Sequence, residues 1–221
     1  MNGEGSQNPV KYFSLENWLR FWKSAGAAGN ANAVFDLLRI AYTSSNRAYH
    51  NEEHIAHCLK ELESARHLAK EPHAVEMALW CHDVIYVVGE KSNEELSSHW
   101  AYDIAVKYMS MGADFGEQTK KLILLTETES IPEGIDSMIV HDCDWAILGS
   151  RPRDYDDYER GIMREFGAIM SAKAYRQGRI EFLRSVLGPE PIFHVDRFRE
   201  KYEKKARQNV RRALSRLDSM H

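Results

Sequence analysis

The chain is short of the features that mark several large protein classes. Only three cysteines, Cys58, Cys81 and Cys143, occur in 221 residues. None forms a Cys-x-x-Cys pair and an odd count does not suit a disulfide framework, so reduced thiols in a cytoplasmic protein are the expectation. No apolar run approaches the roughly 18 residues that a membrane span needs. The opening MNGEGSQNPVKYFSLENW lacks the apolar centre of a signal peptide. There is no Gly-rich phosphate loop of the P-loop or dinucleotide type, no repeat and no low-complexity tract. Strand signals are almost missing: VIYVVGE, at a helix end, is the one short β-branched run. The net charge of −4 gives no basic excess, which argues against a general nucleic-acid binder.

What is present is helical periodicity. Ser14 is placed to cap LENWLRFWKSAG, and ANAVFDLLRIAYTSS repeats the apolar spacing. Pro72 is well placed to open HAVEMALWCHDVIY. Seven further segments share the spacing, the last a long one from Asp196. The expectation is a single all-α domain over 1–221, a bundle of about eight to ten helices, with 1–13 a loose leader and 196–221 a closing helix. That final stretch carries nine Lys/Arg against four Asp/Glu. Its acids are interleaved, Glu200–Lys204 and Glu203–Arg207 at helical spacing, so a solvated helix is expected rather than a nucleic-acid arm.

Three pieces carry chemistry. In YHNEEH, His50 and His54 are four residues apart, about one helical turn, so the spacing puts both imidazoles on one helix face. In ALWCHDVIY, His82 and Asp83 adjoin in an apolar helix, where a charge needs a partner; a helix-end ion pair would suffice to explain them. In MIVHDCDWAILG, Asp142 and Asp144 point to different helix faces, so at most one of them turns inward; solvated acids at a helix end are the plainer reading. Together, two imidazoles and two carboxylates can hold one divalent cation and leave positions open for water. Helical metalloenzymes gather such ligands from separate helices.

The ordered set His … His-Asp … Asp resembles the HD superfamily of metal-dependent phosphohydrolases, and YHNEEH resembles the Tyr-His-Asn-x-x-His motif of its cyclic-nucleotide phosphodiesterase branch. The segments SNEELSS, DCDWAILG, YDDYERGIMREF and YRQGR extend the resemblance, to a bacterial group of predicted HD phosphohydrolases, over most of the chain from about Arg47. It implies His54, His82, Asp83 and a late aspartate as ligands of a divalent ion (Mn, Fe, Co, Ni, Zn or Mg) and His50 as proton donor. Asp144 aligns best as the last ligand, with Asp142 the alternative or an acceptor behind the ligands. Glu129, three residues after Thr126, departs from a histidine in that group.

The chemistry implied is hydrolysis of a small phosphate mono- or diester, nucleotides among the candidates, by water activated on the ion, with Asp83, Asp142 or Asp144 orienting it and His50 protonating the leaving oxygen. Arg47, Lys91, Arg164 and Arg179 are candidates to cover phosphoryl charge, each with a surface-charge alternative. Glu94 and Glu95 are either N-terminal helix charges or pocket residues. His141 is the remaining histidine expected nearest the site, and Trp80 and Trp100 are expected in the core. Two rivals differ in class: a non-catalytic domain that senses a nucleotide or metal, and a di-iron oxygenase, which needs more histidines between Asp83 and Asp144 than His99 provides. The implied partners are a small phosphorylated substrate and a second copy of the chain as a homodimer, without nucleic acid or membrane.

Overall fold

The computed structural model describes residues 11–127 and 131–219. These form ten α-helices and no strand: α1 (Leu15–Ser24), α2 (Ala31–Tyr42), α3 (Glu52–Ala65), α4 (Pro72–Cys81), α5 (Asn93–Asp103), α6 (Ala113–Leu124), α7 (Ile135–Trp145), α8 (Pro152–Gly167), α9 (Ala172–Val186) and α10 (Asp196–Ser219). The all-α expectation holds. Among the described residues no helix is long and apolar enough to cross a membrane.

The starts follow from local chemistry. Ser14, Asn30, Asn51 and Ser171 each accept a hydrogen bond from a backbone N–H in the first turn of the helix that follows. Pro72 and Pro152 open α4 and α8, where a missing N–H costs nothing. Two sequence expectations are corrected here. Asn51 caps α3 by accepting from the N–H groups of Glu53 and His54, so the helix begins at Glu52 and His50 lies in the turn before it. The two histidines of YHNEEH therefore do not share a helix face. Likewise α4 ends at Cys81, which leaves His82 and Asp83 just past its end rather than inside it.

The expected loose leader spans residues 1–13. Residues 1–10 lie outside the described residues, but Phe13 is buried and packs on Phe35, Tyr42 and Trp80 with ring centroids 5.4–5.6 Å apart. Trp80 is fully buried, as expected, and Trp100 packs against the same core. Burying an aromatic or large aliphatic side chain of this kind contributes about 1.5–3 kcal/mol.

α4 is the hub, packing on α3, α5, α6 and α7. The end of α4, the middle of α7 and the start of α3 consequently meet. The segment between α4 and α5 is pinned by α5: Asn93 exchanges hydrogen bonds with the backbone of Val87, and Ser97 with that of Ile85. α8 reaches the turn before α3 because Gly161 has no side chain. A Cβ there would sit 2.9 Å from Cβ of Tyr49 and 3.1 Å from the Ala48 carbonyl oxygen. One turn further along α8 stands Glu165.

Candidate metal centre

His54, His82, Asp83 and Asp144 converge. His54 Nε2 lies 3.0 Å from His82 Nε2, 3.1 Å from Asp144 Oδ1 and 3.4 Å from Asp83 Oδ2. His82 Nε2 lies 3.3 Å from Asp83 Oδ2 and 3.6 Å from Asp144 Oδ1. Ligand bonds of about 2.1 Å put neighbouring donor atoms roughly 3.0 Å apart in an octahedral shell and roughly 3.4 Å in a tetrahedral one. The observed separations match the edges of such a shell.

The proton positions point the same way. His82 Nδ1 lies 3.2 Å from the Leu79 carbonyl oxygen, which can only accept, so Nδ1 carries the proton and Nε2 presents a lone pair to the cluster. Two lone pairs on nitrogens 3.0 Å apart repel unless a cation or a proton lies between them. Burial alone would lower the pKa of both histidines. Around His54, Cys58, Tyr49, Asp144 and Asp83 reverse that, and Asp83 and Asp144 do so around His82; both imidazoles end well above their ordinary value. Burial acts the other way on the acids, but His82 and then His54 hold Asp83 far below the usual carboxylate range, and the same two histidines depress Asp144. Without a cation, protons take its place.

Cys58, one turn after His54 on α3, is a neighbour that the sequence reading left among the plain thiols. Its sulfur lies within 4.8 Å of donor atoms of His54, His82 and Asp144. It stands 3.8 Å from both ring nitrogens of His54, a position off the Nε2 lone-pair direction, so it packs beside the ligand atom rather than completing the shell.

His50 stands beside this cluster, held by a carboxylate absent from the sequence expectations. Its Nδ1 is 2.7 Å from Glu165 Oε2, whose side chain is fully buried. The other oxygen of Glu165 accepts from the backbone N–H groups of Tyr49 and His50 at 2.7 and 3.1 Å, and Tyr86 Oη donates to Oε2 at 2.9 Å. Burial raises the Glu165 carboxyl, but the His50 hydrogen bond and charge and the two amides outweigh that, and its pKa is lowered. An ionised Glu165 accepts a hydrogen bond from Nδ1–H, which leaves Nε2 of His50 as the atom for proton exchange.

His50, His82, Asp83 and Asp144 line one cavity of about 550 Å³, with Tyr49, Tyr86, Trp145, Tyr158, Phe166 and Phe182 also among its walls. Of the two acids after Asn93, Glu94 lines this cavity while Glu95 is exposed. Burial, then Asp83 and Glu127, raise the Glu94 carboxyl.

Other expected residues are placed elsewhere. Asp142 does not join the four. Both of its oxygens accept the N–H of His194 at 3.0 Å, and Oδ2 also accepts that of Val195 at 2.7 Å. Oδ1 faces His141 Nδ1 at 3.0 Å. The orienting role expected of Asp142 is corrected on this ground: its lone pairs are taken up tying α7 to the turn before α10. Arg47 is corrected likewise. Its buried guanidinium donates to the carbonyls of His50, Asp83 and Val84 at 2.6–2.9 Å and lies over the rings of Tyr42 and Tyr86. It fixes the backbone on both sides of the site and presents no free charge to a phosphate. Arg179 lines the cavity but is held by Glu159. Lys91, Arg164 and His99 are exposed. His141 stacks on the cavity residue Trp145 at 4.6 Å. Glu129 lies outside the described residues.

Comparison of the chain with protein-family models, with curated proteins and with solved structures finds no match.

Proposed function

We propose that the chain is a metal-dependent phosphohydrolase of the HD type. The observation that carries this reading is the set of four donor atoms, two nitrogens and two oxygens, three of them on residues that line a cavity, beside a histidine whose second ring nitrogen is free to exchange a proton. His54, His82, Asp83 and Asp144 would hold a divalent ion. Such an ion supplies Lewis acidity, making hydroxide available near neutral pH and drawing off phosphoryl charge.

The chain's own residues would do the rest. Asp83 and Asp144 neutralise the ion and fix its position. His50 would give a proton from Nε2 to the departing oxygen, a transfer suited to a group whose ordinary pKa is about 6.5. Glu165 stabilises the imidazolium before that transfer and orients the ring, so it is a positioning residue. Arg47, through the carbonyls of His50 and Asp83, keeps proton donor and ligand in register. The aromatic walls exclude water from the reacting ester.

The test is hydrolysis of a panel of phosphate mono- and diesters by metal-reconstituted protein. Turnover that disappears in a folded His82→Ala variant supports the reading. A panel without turnover, from protein that holds metal, turns the case to a non-catalytic sensor domain.

A further inference from the structure

The charge and surface of the cavity narrow the substrate beyond the reaction class. Among the described residues, Arg179 is the one cation that lines it. Its guanidinium is closed by the Glu159 carboxylate through bonds of 2.9 and 3.1 Å, and its faces are covered by Tyr158 and Phe182. Arg47 faces backbone carbonyls. A single divalent ion would be balanced by Asp83 and Asp144. Glu90 and Glu94 then remain as uncompensated negative charge in the wall.

Such a cavity has one strong place for a phosphoryl group, at the ion, and no protein cation for a second or third. Each further phosphate would face the half-buried Glu94 and the exposed Glu90, and like charges repel it there. Six large apolar side chains make up much of the remaining wall: Trp145, Ile147, Ile162, Phe166, Met170 and Phe182. Two large apolar side chains continue it to the surface. Val87 and Ile169 are more than half exposed, beside the cavity residues Gly89 and Met170. The volume, about 550 Å³, is that of a pocket for a drug-sized organic group.

Resting on the hydrolase reading above, we propose that the substrate carries a single phosphoryl group on a bulky aromatic or apolar organic part, and that polyphosphates are selected against. The phosphoryl group sits at the ion and at His50. The organic part lies along Phe166 and Phe182 toward Ile169. Hydrolysis breaks the bond between phosphorus and the ester oxygen; water supplies the new oxygen, and His50 protonates the alcohol that leaves.

The test reads binding and turnover separately on metal-reconstituted, full-length protein. Calorimetry compares phenylphosphonate with methylphosphonate and with the magnesium complex of a nucleoside triphosphate. Metal content is checked after each titration, so that stripping of the ion is not read as binding. The expected result is phenylphosphonate bound at least about 10-fold tighter than either competitor, with the advantage over methylphosphonate shrinking to about 3-fold or less in Phe182→Ala. In turnover, bis(p-nitrophenyl) phosphate and p-nitrophenyl phosphate should exceed the triphosphate in kcat/KM. A triphosphate that binds as tightly as phenylphosphonate, or phenyl- and methylphosphonate bound alike, overturns the proposal. Turnover of none of the esters with the binding order intact fails the hydrolase reading instead, and leaves the preference for one phosphoryl group on an apolar body as a property of the ligand.

Discussion

The chain contains the dipeptide His-Asp twice, at 82–83 just past the end of α4 and at 141–142 within α7. Each has a histidine from another element close by, His54 at the first and His194 at the second, and donor atoms within 4.8 Å of one another. Both histidines of the pairs are buried, but Asp142 is fully buried while Asp83 is partly exposed. What separates them is the occupancy of the carboxylate. Asp142 has three backbone N–H contacts and His141 on its two oxygens. Asp83 Oδ2 faces only the two imidazoles, and the backbone of Asp83 is held from behind by Arg47. A saturated carboxylate is a clamp; one left with free lone pairs toward a cavity is a ligand in waiting. Identical residue pairs acquire different uses from the groups that reach them.

The comparison can be broken from either side. The largest expected effect is on hydrolysis: His54→Ala and Asp144→Ala each lower it by about 10³-fold or more, with the helical content seen by circular dichroism retained. His141→Ala, at the other pair, lowers it less than about 10-fold. Equal losses at both sites would erase the distinction.

Stability should sort the other way. Asp142→Ala strands two buried amides and loosens α10 from α7, a cost of about 2–5 kcal/mol, which corresponds to a fall in Tm of roughly 5–15 °C. Asp144→Ala in metal-free protein should change Tm far less. Thermal melts of both variants after chelation check this, and an Asp142→Ala protein as stable as wild type contradicts the clamp.

Next in size is the positioning of His50. Glu165→Gln keeps the shape but not the charge, and should lower kcat about 10- to 100-fold with KM and metal content little changed. A rise in KM together with the fall in kcat, or loss of the metal, would make Glu165 merely structural.

The smallest effect is in pH. His54 and His82 have folded pKa values raised above the unfolded value, so their contribution to metal-free stability is complete below about pH 6.5 and is lost as pH rises through the folded values. Asp83 and Asp144 are depressed, so theirs is present above about pH 4 and is lost as pH falls toward their folded values. A metal ion competes with the same protons. The Tm difference between metal-loaded and metal-free protein should widen from about pH 6 to about pH 9; a gap that narrows over that range contradicts proton–metal competition at these four residues.

Much of this was legible in the sequence, and the omissions have physical causes. Helical periodicity and the caps at Ser14 and Pro72 are local signals, and they survive in the fold. The donor types and their order are visible in a line of text, but their meeting point depends on α4 packing against α3 and α7. Glu165 contacts His50 across 115 positions, with no spacing rule to connect them, and Gly161 hints at the approach only once its neighbours are known. Arg47 reads as a free cation because its three acceptors are backbone carbonyls, which carry no residue identity. Asp142 and Asp144 are alike on paper; the amides of His194 and Val195 tell them apart. Asn51 outweighs the four-residue spacing of His50 and His54 because a side-chain cap ends the helix where it stands.

The measurement that bears most directly on the centre is metal content by elemental analysis, on protein purified without chelator or affinity metal, for wild type, His54→Ala and His141→Ala. The account predicts about one or two equivalents of a divalent metal per chain in wild type and in His141→Ala, and none in His54→Ala. No metal in wild type even after reconstitution, or its loss from His141→Ala rather than from His54→Ala, would contradict it.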